Sequence, residues 1–472
     1  MMRDIPRIRA TIGNCCVAAL IASAVGLSGY PCFAEAGADK PNIIVILADD
    51  LGYADVGFQG CRDIPTPNLD RLAAEGVRCT NGYVSHPFCS PTRAGMITGR
   101  YQQRFGHENN PRYDTRDNVA GLPTSQHTVA EVLTAAGYVT GAVGKWHLGA
   151  APQFHPNRRG FQEYFGLIGG GHDYWRCNPP GETREYLIPL QRNQSEECFD
   201  EYLTDVLTKE AVRFIERHQK ERFFLYLAYN APHTPLQATD ERMSRVAAIE
   251  EDPVRRSYGA MICALDDGVG KVWETLHDLG LTENTLVFFL SDNGGPTKVT
   301  HSSNAPLRGE KGSVYEGGIR VPFVVTWKGK LPSGATYDKP IISLDVPATA
   351  AALADATFPP APGIDGVNVM PHLLGEDAAP PHDALFWRTG GGSSWAVRRG
   401  EWKLVKFDRK PEELYRLDTD IGESRSVAEA HPEKVEELRT LYETWNRDNI
   451  PPLFESPRPA KKPAPRSTAS LK

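Results

Sequence analysis

Cys89-Ser90-Pro91-Thr92-Arg93 sets a small sulfur nucleophile beside a proline and a guanidinium. Proline suits the first turn of a helix, where the amide has no intrahelical acceptor, so the spacing predicts a helix opening at this cysteine. Free amides at a helix mouth, with Arg93 beside them, hold an anion. A thiol in such a field is expected to be acidified and exposed. Asp49-Asp50 and Asp292-Asn293 offer oxygen ligands of the kind a hard divalent cation takes. Lys145 and His147, in Gly144-Lys145-Trp146-His147-Leu148-Gly149, join a point charge for an anionic oxygen to a titratable ring. His233, in Ala231-Pro232-His233-Thr234-Pro235, is a second imidazole able to give a proton to a leaving oxygen. Lys311 lies in Arg308-Gly309-Glu310-Lys311-Gly312, where glycines let the backbone approach a ligand closely.

These groups fall at the ends of apolar runs. Asn42 to Leu47 ends in Ala48-Asp49-Asp50, Val139 to Val143 in Gly144-Lys145, Phe223 to Tyr229 in Asn230-Ala231, and Leu286 to Leu290 in Ser291-Asp292. Each run reads as a strand buried on both faces, as in a parallel sheet. Helical patterns lie between them: a short one from Pro67, another opened by the capping box Thr128-x-x-Glu131, then Tyr202 to Gln219 and Val254 to Leu279. The alternation predicts an α/β fold with a large mixed, mostly parallel sheet covered by helices on both faces. Ligands bind at the carboxyl edge of such sheets, so four strands ending in charged residues predict one shared site. Past residue 380 the texture changes to short strand-like segments and one amphipathic helix, a smaller antiparallel sheet plus helix. The expected organisation is a signal peptide over 1–36, a catalytic domain over 37–380, an antiparallel-sheet subdomain over 381–450 and a disordered tail over 451–472.

The 472-residue chain has 24% charged residues and a net charge of -7. That balance excludes a general nucleic-acid binder and leaves room for a basic pocket that takes an anionic substrate. Arg3, Arg7 and Arg9 precede an apolar run, Cys15 to Leu27, and small-residue cleavage sites. This is the layout of a secretory signal, too short for a stable membrane span, and it implies a secreted or periplasmic protein. Of nine cysteines, Cys15, Cys16 and Cys32 would leave with the signal. Cys177 and Cys198 bracket a loop and can close a disulfide in an oxidising compartment; the remaining pairing is open.

Cys-x-Pro-x-Arg at 89–93, the Gly-Lys-Trp-His segment at 144–147, Ala-Pro-His-Thr-Pro at 231–235 and the block from Pro306 to Pro322 closely resemble the type I, formylglycine-dependent sulfatases of the alkaline phosphatase superfamily, including arylsulfatase and N-acetylgalactosamine-6-sulfatase-like members. The resemblance runs from about Pro41 to the C-terminal helix. It implies that a maturation enzyme oxidises Cys89 to formylglycine. It implies that Ca²⁺ is held by Asp49, Asp50, Asp292, Asn293 and the modified residue 89. By the same likeness Arg93, Lys145 and Lys311 face the sulfuryl oxygens, His147 assists release of sulfate, and His233 stands near the leaving oxygen. The implied reaction is hydrolysis of a sulfate monoester, on a sulfated sugar or an aryl sulfate. A phosphate or phosphonate monoester hydrolase of the same superfamily is the nearest rival, and a silent protein that binds sulfated glycans is another. Two loops mix polar and aromatic residues as a sugar subsite does: one carries His107 and Asn109, the other His172, Asp173, Trp175 and Arg176.

Overall fold

Alternate residues of Asn42–Ala48 enter separate buried clusters: Ile44, Ile46 and Ala48 on one face of the sheet, Ile43, Val45 and Leu47 on the other. A two-residue period with both sides apolar makes an interior strand, and this one lies near the middle of a ten-stranded sheet. The structure, a computed structural model, describes residues 40–178, 184–361 and 363–456. The expected signal and most of the expected tail lie outside the described residues.

Five parallel strands form the centre of the sheet, in the order Thr285–Ser291, Asn42–Ala48, Phe223–Ala228, Val139–Lys145, Glu163–Leu167. Phe323–Thr326 runs antiparallel beside Thr285–Ser291, and Leu190–Arg192 antiparallel beside Glu163–Leu167. Helices Leu203–Arg217 and Pro253–Asp278 cover one face; Cys89–Thr98, Val129–Ala135 and Asp345–Leu353 cover the other. The capping box is formed, with Thr128 Oγ1 accepting from the Glu131 amide at 3.1 Å and Glu131 Oε2 accepting from the Thr128 amide at 3.1 Å.

A second sheet of four antiparallel strands follows: Leu385–Thr389, Ser394–Arg399, Trp402–Phe407 and Glu413–Arg416. Helix Pro432–Asn446 packs on it through Leu438, Tyr442 and Trp445, with Tyr442 stacked on Trp395 at 4.1 Å. The two sheets are joined by buried contacts. Trp387 donates its indole N–H to the Val84 carbonyl (2.7 Å), and Lys403 reaches Glu316 (2.7 Å) and Glu423 (2.9 Å). Residues 451–456 are anchored, contrary to an expected tail from 451. Leu453 donates its amide to Gly106, and the Phe454 carbonyl accepts from Asn109 Nδ2 at 2.7 Å. Cys177 and Cys198 form a disulfide, while Cys61, Cys79, Cys89 and Cys263 are free thiols. No helix among the described residues is long and apolar enough to cross a membrane.

Candidate active site

Strand register brings the charged ends together. Ala48 pairs with Ser291, and Ala228 pairs with both Leu47 and Gly144. Asp49, Asp292, Asn230 and Lys145 therefore emerge from one edge of the sheet. The Cys89–Thr98 helix points its first residue at that edge, with Phe88 extended before it and Pro91 in its first turn. Ligand atoms of Asp49, Asp50, Cys89 and His233 all lie within 4.8 Å of one another.

The cluster is an alternation of charges. Lys145 Nζ donates to Asp49 Oδ2 at 2.6 Å, and Lys311 Nζ lies 2.7 Å from Asp50 Oδ1 and 2.8 Å from its Oδ2. Arg93 donates through Nε and Nη2 to Asp292 Oδ2 (3.0 and 2.7 Å) and through Nη1 to the Lys145 carbonyl (3.0 Å). Asn293 Nδ2 donates to Asp50 Oδ1 at 2.7 Å. Three cations face three carboxylates, so a bound divalent cation would leave the cluster positive and suited to an anionic ester. Asp49 Oδ1 and Asn293 Oδ1 are buried and without a hydrogen-bond partner. Orphaned hard oxygens beside two further carboxylates fit Ca²⁺ or Mg²⁺.

Burial sets the proton affinities. It raises the Asp49 carboxyl above its ordinary range despite Lys145. Burial also opposes the charge on Asp50, but Lys311 and His233 outweigh it and hold that carboxyl low. The Cys89 thiol is pushed up to about 12 by burial, although Lys145 and Lys311 pull the other way. With its residue only 1% exposed, it is neither acidified nor accessible, which corrects the expectation from the helix mouth. Desolvation outweighs the nearby cations. The His147 imidazole is lowered well below its ordinary value by burial, with Lys145 and Arg93 adding to the effect. His233 is lowered by burial to about 3 in spite of Asp50. Its Nδ1–H donates to the Thr234 carbonyl (2.7 Å), which leaves Nε2 facing Asp50 Oδ2 at 3.7 Å.

Two residues of the site have a strained backbone. Asp50 (φ 68°) and His147 (φ 58°) both occupy the left-handed region, where a non-glycine residue needs support from its surroundings. Gly144, just before Lys145, has φ 103°, and a Cβ there would lie 1.9 Å from the Ala228 carbonyl oxygen. Only glycine lets those strands approach so closely at the base of the site.

Of the six residues expected around a sugar, four are engaged in internal hydrogen bonds. His107 is buried: its Nδ1–H donates to the Gly121 carbonyl (3.1 Å), and Nε2 faces the Ser90 hydroxyl (2.7 Å), so it braces the Cys89 helix. His172 is also internal, both ring nitrogens lying against carbonyls, of Asp173 (2.6 Å) and Ile188 (2.7 Å). Asn109 holds residue 454, and Asp173 caps the Trp175 and Arg176 amides. Trp175 and Arg176 alone of the six remain exposed. Tyr186 was not anticipated, yet its ring lies 6.3 Å from that of His233. Glu185, its neighbour, lines the small cleft beside His147 with Arg112 and Tyr113. Nothing in the local sequence marks these residues, because a chain reversal far from the motifs brings them to the site.

Fold and site together set a cluster of cations and carboxylates at the carboxyl edge of an α/β sheet. The model of the sulfatase family matches residues 41–356. Human N-acetylgalactosamine-6-sulfatase is 36% identical over 74% of this chain and 67% of its own length. Human arylsulfatase A is 35% identical over 89% of each chain. The crystal structure of Ps i-CgsB in complex with k-i-k-neocarrahexaose is 40% identical, with a TM-score of 0.84 over 88% of this chain and 95% of that one. The chain belongs to the sulfatase family and is a sulfuric ester hydrolase.

Proposed function

We propose that this enzyme removes sulfate from a sulfated carbohydrate, using a formylglycine made from Cys89 and a bound Ca²⁺. The observation that carries the reading is the meeting of Cys89 with three cations, two of them fully buried, and two orphaned oxygens at one sheet edge. The sugar substrate is supported by the relatives: one is named for N-acetylgalactosamine 6-sulfate chemistry and another is solved with neocarrahexaose. When present, formylglycine supplies a hydrated aldehyde as nucleophile, and Ca²⁺ supplies positive charge beside it.

Asp49, Asp50, Asp292 and Asn293 would hold the cation. Arg93, Lys145 and Lys311 offset the charge that builds on the sulfuryl oxygens. His233 presents Nε2 to the leaving oxygen while Thr234 fixes the ring, and an anionic group beside it raises its hold on a proton. His147, kept neutral by its surroundings, is able to accept the proton that accompanies sulfate release. The overall reaction is balanced: ester and water give alcohol, sulfate and one proton. Cys89 is buried, so the maturation enzyme must reach it before the chain folds. The disulfide and the expected signal support a secreted or periplasmic address.

The test measures free sulfate by ion chromatography after incubating matured protein with neocarrahexaose and N-acetylgalactosamine 6-sulfate, in parallel with matched aryl sulfate and aryl phosphate. Sulfate release from a sugar, with aryl sulfate turned over faster than aryl phosphate, is the expected result. Faster turnover of aryl phosphate, or no sulfate from any sugar, contradicts the reading.

A further inference from the structure

Large exposed aromatic side chains are scarce: among the described residues the exposed large hydrophobics include only two rings, Trp175 (45%) and Tyr186 (38%). Both sit on one arm, whose described limbs, 172–178 and 184–198, are tied by the Cys177–Cys198 disulfide. The arm is held from inside. His172 lies against the carbonyls of both its limbs, Asp173 and Ile188. The Asp173 amide donates to the Tyr186 carbonyl (2.9 Å), the Asn178 amide to Leu187 (3.2 Å), and Glu185 Oε1 accepts from the Gly170 amide (2.8 Å).

This scaffold fixes where Tyr186 stands. Its ring is 6.3 Å from the His233 ring at an interplanar angle of 33°. Glu185, its neighbour in the chain, borders the cleft at His147, so the two consecutive residues lie one beside each imidazole. Behind it the backbone is close, since a Cβ on Gly171 would fall 2.8 Å from the Tyr186 ring. The Gly171 backbone limits how far the ring can move inward, and 38% of the residue stays open to solvent.

We propose that Tyr186 is the platform on which the sugar that carries the departing oxygen stacks. The inference rests on the sulfated-carbohydrate reading above and names a subsite for it. A pyranose has one face of axial C–H groups, apolar and slightly positive, which matches the electron-rich face of a phenol ring. A ring set beside His233 holds that sugar where its oxygen meets Nε2. Trp175, propped on Tyr202 at 5.1 Å, is the other exposed ring of the arm and serves as the control position.

The experiment compares wild type with Tyr186→Ala, Tyr186→Phe and Trp175→Ala. KM and kcat are measured on neocarrahexaose and N-acetylgalactosamine 6-sulfate, together with the inhibition constant of inorganic sulfate, which fills the anion pocket and has no sugar. Tyr186→Ala should raise KM on the sugars about fivefold or more, as loss of a ring contact worth ~1 kcal/mol or more requires. Sulfate inhibition should stay within about twofold, because the anion contacts are untouched. Tyr186→Phe should restore the sugar KM, since stacking needs the ring and not the hydroxyl, and Trp175→Ala should change it less. Unchanged sugar KM in Tyr186→Ala overturns the proposal. So does a parallel loss of sulfate inhibition, which would make Tyr186 part of the anion pocket. If wild type releases no sulfate from either sugar, the functional reading fails. Calorimetric binding of neocarrahexaose to wild type and Tyr186→Ala then decides the platform separately: equal affinity overturns it, weaker affinity in the variant sustains it.

Discussion

Cys89 illustrates how a side chain's surroundings reverse what its neighbours in sequence suggest. Helix mouth and guanidinium both favour a thiolate, yet complete burial raises the thiol to about 12. As a thiol the residue is a poor nucleophile, which agrees with a role that begins only after its oxidation. The carboxylates carry a second consequence. Asp49 is lifted by burial while its Oδ1 and that of Asn293 go unpaired, a costly arrangement for a site meant to stay without an ion. A chelator should therefore lower both activity and melting temperature, the latter by several degrees for a loss of about 1–3 kcal/mol. Added Ca²⁺ should restore both. A melting temperature indifferent to chelator and Ca²⁺ would show that these oxygens hold no cation.

Elements, more than residues, were legible in the sequence. The central strands are continuous apolar runs ending in polar residues, and the register of four of them brings Asp49, Lys145, Asn230 and Asp292 to one edge. The capping box at Thr128 and the helix opened by Cys89 were readable because their signals are local. Tyr186 and the internal roles of His107 and His172 were not, since they depend on which loop folds over which. His107 and His86 also set a pH response. Burial lowers them to about 4 and about 3 respectively, beneath the ordinary value of about 6.5 that they regain on unfolding. As pH falls from about 6.5 toward 4, the unfolded chain takes up protons that the folded chain refuses, so stability drops by up to about 1.4 kcal/mol per pH unit for each histidine. Urea midpoints measured across that window should decline, and the decline should be shallower in His86→Gln/His107→Gln. An identical slope in the double variant would contradict this assignment.

At the scale of the whole molecule, the second sheet is coupled to the site by a buried ion cluster. Lys403, on the strand Trp402–Phe407, pairs with Glu316 and Glu423. Glu316 opens the short Glu316–Ile319 helix, whose Gly318 carbonyl accepts from the Gly294 amide, next to Asn293, at 3.1 Å. A Cβ on Gly294 would fall 1.8 Å from the Gly317 carbonyl oxygen, so these backbones fit only without one. Arg308 extends the link by donating to the Tyr415 hydroxyl (2.9 Å) and the Glu423 carbonyl (2.7 Å). Lys403→Met leaves the buried Glu423 without its cation and Glu316 with Arg320 alone, and should cost about 3–5 kcal/mol. Thermal unfolding that matches wild type would show that the cluster does not join the sheets. The Lys403–Glu316 and Arg308 contacts join residues 87 to 115 positions apart, and no periodicity or local motif announces them.

The central claim is that residue 89 acts as formylglycine in sulfate-ester hydrolysis. It is tested most directly by preparing the protein with different degrees of conversion, quantifying the Cys89 peptide by mass spectrometry, and plotting aryl sulfate turnover against the converted fraction. Turnover should rise in proportion to formylglycine and vanish at zero conversion, with Cys89→Ala inactive throughout. Equal turnover in fully unconverted protein, or activity retained by Cys89→Ala, would contradict the account.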